Sequence, residues 1–161
     1  MRKLSAIGLV GILCLSAVTK AQDYVGLSVH ELQGRLQKQI RRQQQPKHAL
    51  LTLAGTLETF TGVISPAIDI QLHCDSTGHC TAEQYLCLDE ATAMQYLQKI
   101  LAKKEYGWQP LNANQHVSVM ERQRLLELYR LEDFWVVQVL LTNWSPLQYR
   151  LLFSTSVNTE K

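Results

Sequence analysis

Cysteine is scarce here, four residues in a chain of 161. That excludes a disulfide-dense scaffold, so the core must come mainly from aliphatic burial. Long apolar runs are scarce too. The stretch from Ala6 to Val18 is shorter than the roughly 20 apolar residues a membrane helix needs, and no later segment reaches that length. Neither sign of charge is in excess, with 16 basic and 14 acidic residues. The motifs of common enzyme classes are missing as well. There is no GxSxG elbow, P-loop or dinucleotide fingerprint, and no CxxC or HxxxH pair. His30-Glu31 opens like a zinc-protease helix, but Gly34 stands where the second histidine is needed.

What is present begins with an export signal. Arg2 and Lys3 precede the apolar run, and Thr19-Lys20-Ala21 places small residues at the cleavage positions. The expectation is a signal peptide over 1–21, a single α+β domain over 22–156 and a frayed tail over 157–161. Removal of Arg2, Lys3 and Lys20, with no acid lost, takes 16 basic residues to 13 against 14 acidic, a near-neutral mature chain. Gly11-Ile12-Leu13 ahead of Cys14 lacks a lipobox, which argues against a lipid anchor. The expected location is the periplasm or the cell exterior, where disulfides form.

The most informative stretch runs from Ile68 to Lys104. Ile68, Ile70, Leu72 and Cys74 alternate with Asp69, Gln71 and His73, the period of a half-buried strand. Asp75-Ser76-Thr77-Gly78 fits a type I turn closing on glycine. In that register Cys74 lies opposite Cys80. Opposed residues have Cβ atoms about 4.5–5.5 Å apart, close to what a disulfide requires. A Cys74–Cys80 disulfide is expected. Cys87 falls on the other face with Glu83 and Tyr85 and is read as a free thiol.

Ser28 and Glu31 form a capping box opening a first helix, with Val29, Leu32, Leu36 and Ile40 as its stripe and Pro46 barring continuation. Irregular strands follow. Asp89 caps a second helix whose inward face is Ala93, Met94, Leu97, Ile100 and Leu101. Residues 116–120, 124–131, 134–142 and 148–154 read as strands, although 124–131 also suits a helix. The order expected is α-β-β-α-β-β-β-β, with two helices packed on an antiparallel sheet.

Candidate sites are few. His73, Asp75 and His79 share a face near the turn and form a weak metal-site alternative, with the cysteines pointing away. Trp108, Trp135 and Trp144 form a candidate binding surface, against a role as core or edge cover. Lys38, Arg41, Arg42 and Lys47 form the main basic cluster. Without interleaved aromatics they read as a solvated helix end, and nucleic acid is not an expected partner.

The signal ending Lys20-Ala21-Gln22, the capped first helix, Cys80, the helix ending Glu105-Tyr106 and the terminal hairpins resemble small exported proteins of Bacteroides-type Gram-negative bacteria with no assigned function. The resemblance implies an exported location and supplies no catalytic residues. The reading from sequence is therefore an exported, non-catalytic domain that binds an unidentified protein or envelope component, with no cofactor. The alternative is a redox or metal-handling protein using Cys74, Cys80 and Cys87.

Overall fold

The computed structural model describes residues 23–43, 51–54 and 57–154. The expected signal peptide, the Pro46 boundary, Lys47, His48 and the tail after Ser154 lie outside the described residues. One eight-stranded sheet dominates, with three short helices: α1 (Val29–Gln43), β1 (Leu51–Ala54), β2 (Leu57–Ser65), β3 (Ile68–Cys74), β4 (Cys80–Cys87), α2 (Glu90–Leu101), β5 (Trp108–Asn112), β6 (Gln115–Ser118), β7 (Arg124–Leu131), β8 (Phe134–Leu141) and α3 (Pro146–Ser154). The strand order is β1-β2-β3-β4-β8-β7-β6-β5, and every pairing is antiparallel. Two four-stranded meanders thus meet where β4 pairs with β8.

This corrects the expected two-helix α-β-β-α-β-β-β-β arrangement. Residues 108–112 form a strand, and residues 148–154 are helical rather than the last strand. The reason lies at Ser145-Pro146-Leu147-Gln148. Ser145 N–H donates to Gln148 Oε1 at 2.8 Å, and Gln148 N–H donates to Ser145 Oγ at 3.3 Å. That is a capping box with proline in the first helical position. Helical spacing sets the Tyr149 and Phe153 rings edge to face, centroids 5.4 Å apart, and leaves Leu151 exposed.

The first two helices start where the sequence indicates. Glu31 Oε2 accepts from Ser28 N–H at 2.9 Å and from its hydroxyl at 2.7 Å. Asp89 accepts from Thr92 N–H at 2.8 Å. Leu32 of α1 and Ala93, Tyr96, Leu97 and Ile100 of α2 are buried against one sheet face, in one cluster with Tyr24 and Val25. Tyr96 takes the inward place expected of Met94, which is 40% exposed. Residues 124–131 form a strand, closed onto β8 through Glu132 and Asp133. No described helix is long and apolar enough to cross a membrane.

The N-terminal segment is fastened to the β3–β4 hairpin. Gly26 N–H donates to Cys80 O, Cys80 N–H to Leu27 O and Val29 N–H to Gly78 O, at 2.7–2.9 Å. Arg124 holds it from the other side, pairing with Asp23 at 2.7 Å, donating to Val25 O at 3.0 Å, and also pairing with Glu121.

Candidate binding face

The sheet has two unlike faces. Its strand residues in the core cluster, among them Ile70, Leu72, Tyr85, Leu126, Val137 and Val139, all lie on the face towards α1 and α2. The opposite face carries a row of polar side chains directly across from one another. Thr61 pairs with Gln71, Gln71 with Gln84, Gln84 with Gln138, Gln138 with Glu127, Glu127 with Gln115 and Gln115 with Asn112. One row therefore crosses seven strands, β2 to β5 in sheet order. At about 4.8 Å per step it spans roughly 29 Å.

Aliphatic rows flank it. Ala82, Leu140 and Leu125 lie in register on one side, and Leu86 and Val136 on the other, continued by Tyr129. Val136 is fully buried and Leu125 nearly so, so this is not a plain solvated sheet surface. Hydrogen bonds fix the polar side chains. Gln84 Nε2 donates to Tyr129 Oη and to Gln138 Oε1, both at 3.1 Å, and Tyr129 Oη donates to Gln138 Oε1 at 2.6 Å. Burial, with the nearby Glu127 charge adding to it, raises the Tyr129 pKa and keeps that hydroxyl a donor. Gln115 Nε2 donates to Glu127 Oε1 at 2.6 Å. Among the described residues, Gln138 Nε2 then has no acceptor and Glu127 Oε2 no donor. The row is held in place yet keeps hydrogen-bonding capacity turned outward.

The residues singled out from sequence are placed differently. His73 joins this face, its Nε2 3.0 Å from Gln84 Oε1. Asp75 Oδ1 is taken up by the turn, accepting from Thr77 N–H, Thr77 Oγ1 and His79 N–H at 2.7–3.1 Å, and the Thr77 bond leads in holding its pKa down. His79 Nδ1 meets Thr77 Oγ1 at 3.1 Å. Among the described residues no three His, Cys, Asp or Glu side chains are grouped so as to hold a metal ion.

Cys74 and Cys80 are Cα partners, as the turn predicts, but a bulge at Thr81 shifts the register beside them. That extra residue reverses the later faces of β4. Glu83, Tyr85 and Cys87 consequently share the buried face with both hairpin cysteines, correcting the expectation that Cys87 lies on the other side. All three are buried and none is joined in a disulfide. Burial pushes Cys87 up to about 11 and Cys80 further still, the reverse of an activated nucleophile.

Glu83 carries no signal in the sequence beyond its place in a strand. Fully buried, it accepts from Tyr24 N–H at 2.9 Å, and burial raises its carboxyl to about 8. Tyr85 and Tyr96 pack beside each other, rings 4.3 Å apart. The tryptophans separate. Trp108 donates to Ile100 O at 3.1 Å and, like Trp135, packs against the core. Trp144 instead lines an open groove of about 500 Å³ with Met120, Arg122 and Tyr149. The polar row was missed because each glutamine alone reads as an ordinary outward strand position; only the order in which β4 meets β8 aligns them. No protein-family model, curated protein or solved structure matches the chain.

Proposed function

We propose that this chain is an exported, non-catalytic binding domain of the cell envelope, which holds its partner on the sheet face away from α1 and α2. The observation that carries the reading is the unbroken polar row from Thr61 to Asn112, hydrogen-bonded within itself at Gln84–Gln138 and at Glu127–Gln115–Asn112 and flanked over β4, β8 and β7 mainly by apolar side chains. Pre-organised side chains lose little entropy on binding. The signal-like N-terminus supports the envelope location. The test is co-sedimentation of the exported chain with a Gram-negative envelope fraction. Binding should fall about thirtyfold in Gln84→Ala/Gln138→Ala, since each of the two lost hydrogen bonds is worth about 1 kcal/mol. It should be unchanged in Arg122→Ala, which alters the groove. The reverse pattern, or no binding by the unaltered chain, overturns the reading.

A second reading has one observation in its favour: Cys74 and Cys80 face each other across the hairpin. They would act as a dithiol that exchanges two electrons and two protons with a disulfide partner.

A further inference from the structure

We infer that the occupant of this face is a neutral glycan chain lying across the strands along the carboxamide row; this rests on the sheet-face reading above. Four observations converge on that chemistry.

The first is charge. Among the described side chains of the polar row and its two flanking rows there is no lysine or arginine, while Asp69 and Glu127 are acidic. Phosphate-, sulfate- or uronate-bearing polymers would meet these carboxylates with no lysine or arginine to offset them, His73 being the one imidazole in those rows. The second is the type of hydrogen bond offered. A primary carboxamide presents donors and acceptors together, as a sugar hydroxyl does, and the row leaves both kinds free, at Gln138 Nε2 and Glu127 Oε2.

The third is the banding. Polar side chains run between the half-buried Ala82 and Leu140 on one side and the half-buried Leu86 and Tyr129 ring on the other, while Val136 and Leu125 are buried. A pyranose has the matching pattern, apolar C–H faces bounded by a polar rim. The fourth is direction and length. An extended peptide adds to a sheet through backbone groups at an open edge, but here the groups lie on a face whose backbone is already paired strand to strand. Roughly 29 Å of aligned side chains suits a polymer rather than a single sugar.

The experiment uses the exported chain with an envelope fraction split in two, one part digested with protease and the other oxidised with periodate, which cleaves sugar diols. Affinity electrophoresis through laminarin, mannan and xylan runs alongside, with Gln138→Met as a near-isosteric variant checked by its thermal melt. The expected result is that envelope binding survives protease and is lost to periodate. At least one neutral polysaccharide should retard the unaltered chain about fivefold more strongly than Gln138→Met. Loss to protease with survival of periodate overturns the glycan inference and leaves the sheet-face reading standing. Binding unaffected by Gln138→Met overturns both.

Discussion

The carboxyl of Glu83 accepts the backbone N–H of Tyr24 at 2.9 Å, joining residues 59 apart in the chain inside the core. Below pH 4.5 this carboxyl is protonated whether folded or not, and its contribution to stability is complete. As pH rises the unfolded chain releases the proton near 4.5, whereas burial holds it in the folded chain to about 8. The unfolded state then binds fewer protons, so stability falls across that window. Glu83→Gln, neutral at all pH, should flatten the fall; urea midpoints measured from pH 4.5 to 8 give the comparison. An unchanged slope would place the pH sensitivity elsewhere.

Arg124→Ala should cost roughly 3 kcal/mol, because it strips partners from Asp23 and Val25 O at a largely buried site. The loss should be local first. Amide exchange at Gly26 and Cys80, which bridge the N-terminal segment and the hairpin, should speed up before exchange in β7 and β8 does.

Leu126→Ala should cost about 3 kcal/mol, a value typical of a fully buried leucine leaving a cavity. Its denaturant midpoint should drop with the slope unchanged. By contrast Leu151→Ala, exposed on α3, should lie within about 0.5 kcal/mol of the parent.

Cys74, Cys80 and Cys87 should all resist alkylation in the folded chain and react fully in denaturant, since all three are buried and burial raises the Cys80 and Cys87 thiols. Oxidised glutathione present during refolding, while the thiols are still accessible, takes two electrons and two protons and should yield a Cys74–Cys80 disulfide peptide without engaging Cys87. A mapped Cys80–Cys87 peptide would contradict the register.

Much of the local architecture was legible. The capping box at Ser28, the Asp89 cap and the Asp75–Gly78 turn specify their own geometry through side chains close in sequence, and the structure contains them. The same signature at Ser145 and Gln148 was passed over because Tyr149, Leu151 and Phe153 also alternate with period two. A short segment satisfies both periods, and the cap decides between them. The faces of β4 were misread for a different reason: one inserted residue, Thr81, inverts all that follows, and nothing within the strand announces it. The candidate face was least legible of all, since its residues come from seven strands and acquire meaning only through their neighbours.

The pairing of β4 with β8 has a consequence for biogenesis. The middle of the sheet is sealed by the last of the described strands to be synthesised, so the first meander waits with a naked edge until residues 134–141 arrive. A nascent chain in that condition is prone to self-association, and a frameshift anywhere before Phe134 should yield inclusion bodies rather than a smaller working fragment.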